Sequence, residues 1–115
     1  MTPNQFRKIA LGMDGAVEAS HMNHPDFRAN GRIFATIHPD NKQGGLMLTP
    51  EQQHDFMREH SRMFVPAPGA WGRGGATMVQ FAEADEEVVG EAVTLAWKNV
   101  MAKKPPKRVT KKRAR

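Results

Sequence analysis

The sequence contains no cysteine. That absence removes disulfides, thiolate metal ligands and cysteine nucleophiles together, and it fits a reducing cytosol. Long apolar runs are missing too: none exceeds a few residues, far short of the ~20 that a membrane-spanning helix needs. The N-terminus has neither an apolar secretory core nor an early Lys/Arg cluster before one. A soluble cytoplasmic protein without a membrane partner is the expectation. Acid is missing from two stretches. Residues 2–13 contain no Asp or Glu, and the last thirteen residues, 103–115, contain none either.

What is present divides sharply by charge. Residues 1–102 hold nine Lys/Arg against all twelve Asp/Glu, a net of −3, while residues 103–115 hold eight Lys/Arg. The +5 of the whole chain therefore belongs to its C-terminal end. With 39% apolar residues, six Phe and two Trp in 115 residues, one small core can form. The expected organisation is a single folded domain over 1–102 and a disordered basic tail over 103–115.

Two helix starts are written alike. Thr2-Pro3-Asn4-Gln5 and Thr49-Pro50-Glu51-Gln52 each supply a cap, a proline at the first helical position, and a Gln that completes a capping box. Phe6, Ile9 and Ala10 follow the first, ending near Gly12. Phe56, Met57 and His60 follow the second. Alternation over Ala16–Met22 predicts a strand. Asn30-Gly31 then predicts a type I′ hairpin joining 26–29 to 32–37, with Ala29 opposite Arg32, Arg28 opposite Ile33 and Phe27 opposite Phe34. On that register Ile33, Ala35 and Ile37 share the second face with Arg28. Residues 38–45 read as a polar loop, 46–48 as a short strand, 65–75 as a Pro- and Gly-rich loop around Trp71, and 76–81 as a strand. Carboxylates at 85–87 open a last helix to about Ala102, whose stripe is Val89, Val93, Ala96 and Val100. Pro105-Pro106 stops it. The order α-β-β-β-β-α-β-α predicts an α+β fold, an antiparallel sheet with helices packed on one face.

Several segments, in order, carry a resemblance: His24-Pro25-Asp26-Phe27-Arg28 with Gly31 to Ile37, Leu48 to Gln53, Gly69-Ala70-Trp71-Gly72-Arg73, and Leu95-Ala96-Trp97. The chain resembles the MmcQ/YjbR family of small bacterial proteins over roughly Phe6 to Lys103. The resemblance implies a CyaY-like (frataxin-like) sandwich and the family's general label of DNA-binding protein. Frataxins that handle iron carry an acidic ridge on their first helix; residues 2–13 have no acid, so the likeness brings no metal and no cofactor with it.

DNA is the expected partner, and a non-enzymatic role the expected class. The candidate contacts are Arg28 and Arg32 beside the hairpin turn, Trp71 and Arg73 in the glycine-rich segment, and Lys103, Lys104, Lys107, Arg108, Lys111, Lys112, Arg113 and Arg115 in the tail. Guanidinium forks suit phosphate, an indole suits an unstacked base, and a cationic arm binds without choosing sequence. Each has a plainer alternative: arginines as a solvated rim, Trp71 closing the end of the core, the tail as a solubility extension. A protein- or small-ligand-binding domain is the competing class. The Gly69–Gly75 segment lacks the Gly-Lys-Ser/Thr ending of a phosphate loop. The five histidines show no metal-ligand spacing, and the acids at 83–91 are accounted for by a helix start. Oligomeric state is not written in the sequence.

Overall fold

The computed structural model describes residues 1–104 of the chain. Its elements run α1 (Pro3–Leu11), β1 (Val17–His21), β2 (His24–Ala29), β3 (Arg32–Ile37), β4 (Gln43–Met47), α2 (Pro50–Glu59), β5 (Phe64–Pro66), α3 (Gly69–Arg73), β6 (Ala76–Gln80), a 3-10 turn at Phe81–Glu83, and α4 (Glu86–Met101). Both capping boxes form as expected, Thr2 with Gln5 and Thr49 with Gln52, each closed in both directions. Asp85 caps α4 by accepting from the backbone N–H groups of Glu87 and Val88. The strands of the described residues make one six-stranded antiparallel sheet, ordered β1-β2-β3-β4-β6-β5.

The α+β expectation holds, with two elements added. The segment 65–75 is not a loop: it contributes edge strand β5 and the short helix α3. Pro66 is admissible in β5 because an edge strand leaves one side unpaired. Strand β4 also begins earlier than expected, at Gln43 rather than Leu46. A pair of glycines hides it. A Cβ on Gly44 would meet Phe6 Cζ at 2.8 Å, and one on Gly45 would meet Thr36 Oγ1 at 2.5 Å. Neither position is a turn; each clears space for a neighbour distant in sequence.

The hairpin needs a correction. Asn30 and Gly31 have φ of 55° and 73°, as a type I′ turn requires, and Ala29–Arg32 and Arg28–Ile33 pair as expected. Beyond them the register shifts: Phe27 pairs with Ala35, not Phe34, which becomes the extra residue of a β-bulge. The bulge reverses the alternation of β3. Ala35 and Ile37 therefore lie on the buried face with Phe27, not on the second face with Arg28.

That buried face is the core. Phe6 of α1, Phe27, Phe34, Leu46 and Val79 of the sheet, and Val89 and Val93 of α4 are all fully buried. Phe64 joins them from β5, with Phe56 of α2 against it at a 5.0 Å centroid distance. Helices α1, α2 and α4 thus lie on one side of the sheet. No helix of the described residues is long and apolar enough to cross a membrane.

Candidate functional site

The hairpin turn does more than reverse the chain. Asn30 Nδ2 donates to the carbonyls of Val100 (2.8 Å) and Lys103 (2.9 Å), and Arg32 Nη2 donates to the carbonyl of Lys104 (2.7 Å). The Val100 carbonyl lies in the last turn of α4, and those of Lys103 and Lys104 lie just beyond the helix end at Met101. The turn therefore ties down the start of the cationic stretch. Sequence reading missed Asn30, because its partners lie seventy residues and more away in the chain.

Beside this clamp is a groove of about 520 Å³, lined among others by Arg32, Thr49, Pro50, Trp71, Asn99 and Lys103. Its walls are fixed from several sides. Asn99 Nδ2 donates to Met47 O and to Gln52 Oε1, joining α4 to β4 and to the capping residue of α2. Gln53 Nε2 donates to the carbonyls of Gly72 and Ala76, both at 2.9 Å, and so pins α3 to α2. Held this way, α3 presents Trp71 with 66% of its surface exposed. The indole does not close the core. Trp97, by contrast, donates its Nε1–H to Asp14 O and packs against the core.

Gly72 makes the position of Trp71 possible. A Cβ there would fall 1.8 Å from the Ala67 carbonyl oxygen, a backbone atom that cannot swing aside. Gly72→Ala should therefore push α3 away from the Ala67 backbone, costing about 1–3 kcal/mol as overpacking. Urea unfolding followed by tryptophan emission reads both the loss and the displaced indole.

The sequence-derived arginines do not act as one set. Arg28 is committed to a neighbour on its own strand: its Nε donates to Asp26 Oδ1 at 2.7 Å and its Nη2 to Oδ2 at 3.0 Å. Asp26 is completely buried, and His21 Nδ1 lies 2.7 Å from its Oδ2. The Arg28 hydrogen bonds hold the Asp26 carboxyl below its ordinary value of 3.8, against the opposing effect of burial and with help from His21. Arg28 is thus engaged with Asp26 and does not line the groove. Arg32 and Trp71 do come together, in the groove with Lys103. Arg73 sits exposed at the end of α3. Lys104 is exposed, while Lys107, Arg108, Lys111, Lys112, Arg113 and Arg115 lie outside the described residues, as does the Pro105-Pro106 stop. The rings of His21 and His24 meet at 4.5 Å, tilted by 56°, yet no group of three or more His, Asp or Glu among the described residues could hold a metal ion.

The ordered segments from His24 to Trp97 belong to a known family. The YjbR family model matches residues 11–99, and the chain is a member of that family. Its structure is similar to the crystal structure of Deinococcus radiodurans protein DR2400, which carries the DUF419 domain. The TM-score is 0.75 at 18% identity, covering 96% of this chain and 86% of that one. At that identity the likeness is one of fold. No curated protein matches the chain.

Proposed function

We propose that this YjbR-family protein is a non-enzymatic DNA-binding module that takes single-stranded DNA along the groove between Arg32, Trp71 and Lys103. One observation carries the reading. Lys103, the first residue of the cationic stretch, lines the same groove as an exposed indole and a guanidinium. An exposed Trp offers a stacking surface to any unpaired base, and the cations beside it offer charge to the backbone. Residues 103–115 carry eight Lys/Arg, and the first two of these residues are held by Asn30 and Arg32. Because the rest of the chain is net negative, this local cluster must supply what the domain as a whole does not. Arg73 adds a further charge on the same short helix as Trp71.

Anisotropy titrations with labelled single-stranded and duplex DNA test the proposal, using the full chain, a chain ending at Lys104, and Trp71→Ala. Full-length protein should prefer the single strand and weaken steeply with salt. Residues 105–115 hold six Lys/Arg. Their removal should flatten the log–log salt slope by up to about 4, at roughly 0.7 for each phosphate no longer neutralised. Trp71→Ala should cost about 1–3 kcal/mol of binding. Absence of binding by the full chain at low salt would end the proposal. Equal, salt-insensitive binding by both lengths would remove the arm from it.

A further inference from the structure

The helices cover one face of the sheet; the other face holds a second groove. Strand register aligns Asp26, Thr36, Gly45, Met78 and Val65 across β2, β3, β4, β6 and β5, all pointing away from the core. Over Thr36, Met78 and Val65 of this row lies a cavity of about 710 Å³. Between Thr36 and Met78 stands Gly45, which has no side chain. A Cβ there would lie within 4 Å of both Thr36 Oγ1 and Met78 Sδ, which now lie across the strand in its place. Around the floor rise Met22 from the β1–β2 turn, His38 and Pro39 from the β3–β4 connection, and Pro66 to Pro68 with Trp71.

Three properties of this groove define its occupant. First, among the described residues no Lys, Arg, Asp or Glu lines it, whereas Arg32 and Lys103 line the groove on the other side of Trp71. A formally charged ligand would lose its hydration there without gaining a counter-charge. Second, polarity is graded. His24, Thr36, His38 and Gln43 supply polar atoms at one end, while Val65, Pro66, Pro68, Met78 and the indole make the other end apolar. Third, His24 Nδ1 is buried and has no hydrogen-bond partner among the described residues. Its ring lies tilted against that of His21, whose own Nδ1 is already paired with Asp26. Rotation of the His24 imidazole toward the groove would give that nitrogen a partner on an incoming molecule.

We infer that this open sheet face is a small-molecule site for an uncharged, mainly apolar ligand with a flat body and a hydrogen-bonding group at the His24 end. The volume falls within the ~300–1,000 Å³ usual for such sites, and the balance of an apolar lining with a few convergent polar groups is also usual. The flat body lies over Thr36 and Met78 against the edge of Trp71. This site is distinct from the cationic groove, and its existence does not depend on DNA binding.

Nile red, a neutral planar dye, is the probe. Titrated into the full chain it should give saturable, blue-shifted emission with one dye per chain. Met78→Glu puts a carboxylate on the floor and should weaken the dye by about tenfold or more. Met22→Glu is the companion variant, since Met22 is 84% exposed and its exchange should leave the fold intact. It should weaken the dye by a smaller factor. Circular dichroism and unfolding midpoints confirm that each variant is folded. Neither variant touches Arg32 or Lys103, so both should bind DNA as the parent does. Dye emission that never saturates, or that is unchanged in both variants, overturns the site. So does dye release on raising protein concentration with a doubling of sedimenting mass, because a second copy would then be the occupant.

Discussion

Phe6→Ala should destabilise the fold by about 3–5 kcal/mol, the range for deleting a fully buried aromatic side chain. The upper half is expected. Phe6 is fully buried, meets Phe81 at 5.3 Å and Phe27 edge-on at 6.5 Å, and fills the space that Gly44 leaves above β4. Those neighbours come from two strands and the 3-10 turn, so no single element can collapse into the hole. For a domain whose total stability is of the order of 5–15 kcal/mol, that is a large share. Gly44→Ala should also destabilise the parent, since its Cβ would meet Phe6 Cζ at 2.8 Å. Introduced together with Phe6→Ala, it should instead recover part of the loss. A non-additivity of about 0.5–3 kcal/mol is expected for residues in contact. Urea unfolding of the four proteins measures it, and simple additivity would mean that Gly44 is not there to admit the ring.

Asp26→Ala should cost about 2–3 kcal/mol, the scale of hydrogen bonds to a charged group. The larger penalty for breaking a buried ion pair does not apply in this direction. The cation left behind, Arg28, already has 40% of its side chain exposed and can rehydrate. Arg28→Met reverses the situation. It strands a fully buried carboxylate with His21 alone, and should destabilise more than Asp26→Ala does near pH 7. The pH dependence separates the two. Arg28 lowers the Asp26 pKa in the folded state, so the folded state binds fewer protons there than the unfolded chain. The parent's contribution is therefore complete above the unfolded value of 3.8 and drains away as pH falls through the lowered folded value. In Arg28→Met the chief lowering influence is gone, and burial acts to raise the pKa. Its deficit relative to the parent should shrink on acidification. Unfolding midpoints at pH 7 and pH 3 would show this, and a pH-independent gap would disprove the coupling.

Local grammar made most of this fold readable. Two Thr-Pro-x-Gln starts, an Asn-Gly turn and the Val89–Val100 stripe each act within a few residues, and each reappears in the structure. What local reading could not recover depends on distant partners. Gly44 and Gly45 look like turn residues until Phe6 and Thr36 are seen against them. The bulge at Phe34 follows from the need to turn Phe27, Ala35 and Ile37 to one core, which no two-residue turn specifies. Helix α3 has only five residues, two of them glycine, and stands because Gln53 and Ala67 receive it. The candidate site divides along the same line. Arg32, Trp71 and Lys103 were legible as residue types and prove to be neighbours, whereas Arg28 was drawn away by an acid two positions earlier, and Asn30 was hidden by its distant partners.

Trp71 lines both grooves, one cationic and one without charge. A single indole cannot lie fully against two occupants at once. With both grooves occupied as proposed, an indole rotamer selected by one would be withdrawn from the other, and the two sites would be thermodynamically linked through that side chain. Linkage of this kind is reciprocal: the factor by which one occupant alters the affinity of the other is the same in both directions. The wall between the grooves is therefore also a balance, and its setting can be read from either side.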